Sequence, residues 1–126
     1  MMRDSIKRLP DSELEVMQAI WSCTPPVSRA DIKQQLAASY PIAQTTLLTL
    51  LTRLTEKGFL SAELDGQRKL FTPLISQQDY LASQGNRFFT KLCGGSISTF
   101  AAALCDSGLT KEELAELRDM LERGTL

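Results

Sequence analysis

The stretch Gln44–Gly58, QTTLLTLLTRLTEKG, carries the side chains best suited to close contact with another molecule. Leu47, Leu50, Leu51 and Leu54 fall at i, i+3, i+4 and i+7, the spacing of one buried helical face. Thr45, Thr46, Thr49, Thr52 and Arg53 then cluster on the opposite face. A solvated helix face is usually built from Glu, Lys and Gln, which lose little rotamer freedom there, whereas threonine is a mediocre helix former. Short hydroxyls and one guanidinium suit a surface that approaches phosphates or base edges. A hydroxyl can bond either, a threonine methyl can touch the thymine methyl, and arginine can pair with guanine or phosphate. The alternative reading is a solvated helix that happens to be rich in threonine.

Other chemistries are poorly provided for. The 126 residues contain no histidine, which removes the commonest general base and the commonest metal ligand. Gly-x-Ser-x-Gly, Ser-x-x-Lys and phosphate-cradling glycine loops are missing too. Cys23, Cys93 and Cys105 are odd in number and widely spaced, as small buried thiols in a reducing compartment would be. No enzyme, cofactor, metal or small-molecule substrate is expected. No apolar run approaches the ~20 residues of a membrane span, and the charged start MMRDSIKRLPDSE lacks the apolar core of a signal peptide. The chain is expected in the cytoplasm.

Net charge is −1, so no general positive field advertises a nucleic-acid partner. Residues 1–75 hold nine Lys/Arg against eight Asp/Glu, and residues 76–126 hold five against seven. Phosphate binding must therefore come from local placement of a few cations.

The elements that would position the hydroxyl-rich helix follow from capping and period. Residues 1–10 read as a loose lead-in. Ser12 with Glu15 has capping-box spacing, Asp11 is an alternative cap, and Leu14, Met17, Ile20 and Trp21 form a stripe, predicting a helix over about 12–22. Trp21 continues that stripe and reads as a core anchor. Ser28 with Asp31 caps a second helix over about 29–39, with Ile32 and Leu36 inward and Tyr40–Pro41 as its stop. Two short helices, a tight turn and a third helix make the order of a helix-turn-helix. After Gly58 the period changes, and FLSAELDGQRKLFTPL predicts two strands around the turn signal Asp65–Gly66. Arg68 and Lys69 follow that turn. As the tip of a wing beside the third helix they would face a DNA backbone; the alternative is an edge strand protected by charge. Strand alternation makes Lys69 the weaker candidate of the two.

The remainder reads as three helices, over about 76–93, 97–106 and 111–123, with Gly94–Gly95 as a stop and Thr110 with Glu113 as a capping box. Phe88, Leu92, Ile97, Phe100, Leu104, Leu114, Leu117 and Leu121 make wide apolar stripes on these short segments. About 50 residues cannot bury much alone, so pairing with a second copy is expected. The fold expected is mainly α with a small β-hairpin: a winged helix-turn-helix over 1–75, then a helical dimerisation region over 76–126.

With LPDSELEVMQAIW, TLLTRLTEKGFL, FFTKLCGGS and EELAELRDML in this order, the chain resembles the penicillinase-repressor family of transcriptional repressors across about residues 9–123. The resemblance implies an N-terminal winged-helix DNA-binding domain, a C-terminal helical dimerisation domain and a palindromic operator. Carried over by position, the DNA face would include Thr45, Thr46, Thr49 and Arg53, with a wing around Arg68. It also implies release by proteolysis downstream of a membrane sensor-protease, the bond matching the cleaved Asn–Phe being Ala103–Leu104. Relatives often carry Lys where Thr45 stands and Arg where Leu48 stands. The cysteine cluster of the copper-responsive branch has no counterpart in Cys93 and Cys105. Two other functions compete with the homodimeric repressor: a winged-helix protein-interaction module without DNA, which the near-neutral charge would suit, and a thiol sensor using Cys93 or Cys105.

Overall fold

The structure, a computed structural model, describes residues 6–124. Contacts divide the chain into two compact units, Met1–Gln84 and Gly85–Leu126. In the first, α1 (Asp11–Trp21), β1 (Val27–Ser28), α2 (Arg29–Leu36), α3 (Gln44–Glu56), β2 (Leu60–Asp65) and β3 (Arg68–Pro73) form a winged helix completed by the first part of α4 (Gln77–Arg87). The second holds the end of α4, its π-helical continuation Phe88–Leu92, α5 (Ile97–Cys105) and α6 (Lys111–Arg123).

The first unit is built on the leucine stripe of α3. Leu47, Leu50, Leu51 and Leu54 are buried with Val16, Met17 and Ile20 of α1, Ile32 and Leu36 of α2, Phe59 just before the sheet, and Leu60 and Phe71 within it. Each large aliphatic or aromatic side chain removed from water here contributes about 1.5–3 kcal/mol. The capping box of α2 forms as its spacing predicts, with Asp31 N–H donating to Ser28 Oγ at 3.1 Å. The one expected for α1 does not. Pro10 occupies its N-cap and makes no side-chain bond, so the helix starts at Asp11. Proline suits such a start, since its φ is preset and no N–H is lost that the helix would use.

The hairpin register pairs Asp65 with Arg68 and Leu60 with Pro73. The two turn residues are therefore Gly66 and Gln67, one position beyond the signal read from sequence. Gly66 holds φ 67°, which a Cβ would strain. The sheet also has a third strand that periodicity missed. Val27 pairs with Phe71 and Ser28 with Leu70, giving the order β1-β3-β2. Two residues are too few for alternation to show.

Two further differences concern the ends of this unit. Residues 1–5 of the expected loose lead-in lie outside the described residues, but from Ile6 on it is docked, with Ile6 and Leu9 buried. Leu9 N–H donates to Tyr80 Oη at 2.9 Å, and Ser83 Oγ donates to the Ile6 carbonyl at 3.3 Å. Tyr80 also packs edge-on against Phe59, so the first turns of α4 belong to the first core. Trp21 is half-buried, and its Nε1–H donates to the Ile75 carbonyl at 3.0 Å.

In the second unit, Phe100 meets Phe88 and Phe89 at ring separations of 5.7 Å. The α6 capping box forms between Thr110 and Glu113. Yet no residue of α5 or α6 is buried. Among the described residues no single helix is long and apolar enough to cross a membrane.

Candidate nucleic-acid interface

Because the leucine stripe faces the core, α3 turns Thr45, Thr46, Thr49, Thr52 and Arg53 outward, and all five are exposed. The chemistry they offer is narrower than the residue names suggest. Thr49 Oγ1 donates to the Thr45 carbonyl at 3.1 Å, and Thr52 Oγ1 donates to the Leu48 carbonyl at 2.9 Å. This back-bonding uses the hydroxyl hydrogen within the helix. What remains outward is a methyl group and an oxygen that can accept. Such a face suits thymine methyls and base amino groups better than phosphates, which only accept.

The cations gather elsewhere. An open groove of about 530 Å³ runs between the start of α2, the start of α3 and the hairpin, lined in part by Arg29, Lys33, Gln44, Leu48, Arg68 and Lys69. Among the described residues no acidic side chain lines it. Arg29 and Lys33 were missed by the sequence reading because two cations on a short helix resemble any solvated face. Their meaning lies in what stands opposite them. Thr45, Thr46, Thr49 and Arg53 lie outside this lining, Arg53 in the last turn of α3.

At the wing, both Arg68 and Lys69 line the groove. Strand alternation does not separate the two here. Lys69 lies across from Leu64 and two residues from Phe71, and both of these line the groove as well. Arg68 closes the turn, 3.8 Å from Asp65 in an exposed pair of the kind worth little in water. Leu64 is 73% exposed, a large apolar side chain at the wing tip.

Lys57, the remaining cation of α3's end, is committed inward. It is the C-cap residue, and its ammonium pairs with the carboxylate of Glu13 on α1, which is only 2% exposed. Lys57 thus fixes α3 against α1. Among the described residues no cluster of His, Cys, Asp or Glu could hold a metal ion. Cys23 is half-buried, Cys93 buried and Cys105 exposed, and all three are free thiols.

Comparison with known proteins points the same way. The Penicillinase repressor family profile matches residues 9–123. The penicillinase repressor of Bacillus licheniformis is 28% identical over 118 residues, covering 93% of this chain and 91% of that protein. The methicillin resistance regulatory protein MecI of Mammaliicoccus sciuri is 24% identical over 97% of this chain and 99% of its own length. Among solved structures, the DNA-binding domain of the repressor BlaI superposes with a TM-score of 0.52 at 31% identity, over 64% of this chain and 94% of that one. The monomeric Bacillus licheniformis BlaI in complex with the blaP half-operator gives 0.51 at 32%, over 60% of this chain and 92% of that one. With its winged helix and a profile match over nearly its whole length, the chain belongs to the penicillinase repressor family of transcriptional repressors, which are not enzymes.

Proposed function

We propose that this chain is a homodimeric repressor that reads a two-fold symmetric operator. The first unit would bind each half-site and the second unit would hold two copies together. The observation that carries the reading is the groove. In a chain of net charge −1, four cations converge on one concavity beside the outward face of α3, with no carboxylate in its lining among the described residues. Arg29, Lys33, Arg68 and Lys69 would take phosphates beside α3, while Thr45, Thr46 and Thr49 would meet base edges in the major groove. Arg53, in the last turn, would reach the flanking backbone. The half-operator bound by the BlaI structure supports the same use of this fold.

Dimerisation rests on exposed apolar surface. Leu92 is 75% exposed and Ile97 71%, with Phe88 and Leu121 also exposed and Phe100, Leu104, Leu114 and Leu117 half-buried. A unit of this size cannot bury such side chains unaided, and a second copy would cover them symmetrically. Proteolytic release through a membrane sensor-protease would act on Ala103–Leu104. That bond lies inside α5 and both residues are half-buried, so the helix must open locally before a protease could seat it.

A mobility-shift titration of the full-length chain against the DNA upstream of its own gene tests the reading. Binding should weaken steeply with salt, with a log–log slope of roughly −7 if the four groove cations on each of two protomers meet phosphates, and steeper if Arg53 does too. A protein-interaction module would give no salt-sensitive shift at micromolar protein, and that result would overturn the proposal.

A further inference from the structure

We propose that Gln44 is a specificity residue that reads an adenine through the major groove, an inference that rests on the DNA-binding function proposed above. Gln44 is the first residue of α3 and is exposed. It lines the cationic groove together with Leu48, one turn further along the same helix face. Helices that read DNA in this arrangement use their N-terminal residues on base edges. The N-cap of α3 is Ala43, which offers no side-chain bond, and among the described residues the Gln44 carboxamide has no hydrogen-bond partner either. It is therefore neither a cap nor part of a network.

The chemistry of its neighbours makes Gln44 distinct. Thr49 and Thr52 have committed their hydroxyl hydrogens to the helix backbone. Arg29, Lys33, Arg68 and Lys69 are donors only. On the helices of this lining Gln44 alone presents a side chain with an uncommitted donor and acceptor side by side; the other carboxamide, Gln67, sits in the turn of the wing. A phosphate would use only the donor. Adenine offers the matching pair, an N6 amino donor beside the N7 acceptor, and a carboxamide meets both at once. Leu48, at i+4, adds an apolar surface one turn away that fits a thymine methyl of a neighbouring base pair. The cations of the groove would hold the helix in register while supplying no sequence information themselves.

The test is selection from a randomised double-stranded DNA library at fixed salt, using the full-length chain. It is followed by affinity measurements on the selected site and on versions changed at one base pair. The wild-type protein should select one A·T pair whose replacement weakens binding about 5- to 150-fold, the range of a good bidentate contact. Gln44→Ala should reduce discrimination at that pair to under about 3-fold, leaving the other positions and the salt slope unchanged. Gln44→Arg should move the preference there from adenine to guanine. Both substitutions are at an exposed helix position and should leave the circular dichroism spectrum unchanged. If Gln44→Ala keeps full discrimination at every position, or weakens all sequences alike, Gln44 reads no base. A wild-type chain that selects nothing and shows no salt-sensitive binding fails earlier, at the DNA-binding function itself.

Discussion

At the scale of single residues, the pairing of Glu13 with Lys57 separates cations that hold the fold from cations free to meet a partner. A carboxylate that is 2% exposed would be very costly without a counter-charge. Lys57 supplies it from the end of α3, and Lys57 is itself about one third exposed. Lys57→Met should leave Glu13 buried and unpaired and lower stability by about 3 kcal/mol, the lower end of the range for breaking a buried pair. The double substitution with Glu13→Leu should recover much of that loss, because it also removes the stranded charge. Urea denaturation of the three variants decides it. Simple additivity of the two single losses would mean that the pair is not coupled. The same distinction applies to Thr49. Its name suggests a free hydroxyl, but its hydrogen is already bonded within the helix, so it offers outward a methyl group and an oxygen that can only accept.

At the scale of elements, the wing shows how register assigns roles. The hairpin places Lys69 on the strand face it shares with Phe71 and Arg68 at the turn, and both reach the groove beside α3. If both meet phosphates, Arg68→Ala and Lys69→Ala should each reduce the magnitude of the salt slope of operator binding by about one unit and weaken all sequences alike. An altered sequence preference with an unchanged slope in either variant would assign that residue to base contact instead. Asp65, 3.8 Å from Arg68, is too exposed to hold that guanidinium away from DNA. The α3 helix needs no side-chain cap to stay in place. Its four buried leucines fix its rotation, and that rotation decides which side chains look outward.

At the scale of the whole molecule, each winged helix presents few cations, so a single copy should hold DNA weakly. Two linked copies would meet a second half-site intramolecularly, which would raise the effective concentration without any new contact. Operator binding should therefore depend on α5 and α6 even if neither touches DNA. A fragment ending at Ala103 lacks the end of α5 and all of α6. It should be monomeric by light scattering and bind a two-half-site operator at least tenfold more weakly than the full chain, with single half-site binding little changed. A fragment that stays dimeric and binds as tightly as the full chain would exclude release by cleavage at Ala103–Leu104.

Much of this protein is determined by local sequence. The leucine stripe of α3, the Ser28–Asp31 and Thr110–Glu113 capping boxes and the hairpin after Gly58 are short-range patterns, and each reappears in the structure within a few residues of its expected place. The outward set on α3 was readable for the same reason, since one helical period places both faces at once. Tertiary structure alone decided the rest. The strand Val27–Ser28 exists because Phe71 and Leu70 offer it partners. Ile6 and Leu9 are ordered because Tyr80 and Ser83, more than 70 residues away, bind their backbone. Arg29, Lys33, Gln44 and Leu48 become one surface with Arg68 and Lys69 only when α2, α3 and the wing pack together. These features depend on which distant groups come into contact, and periodicity carries no information about contacts made across the fold.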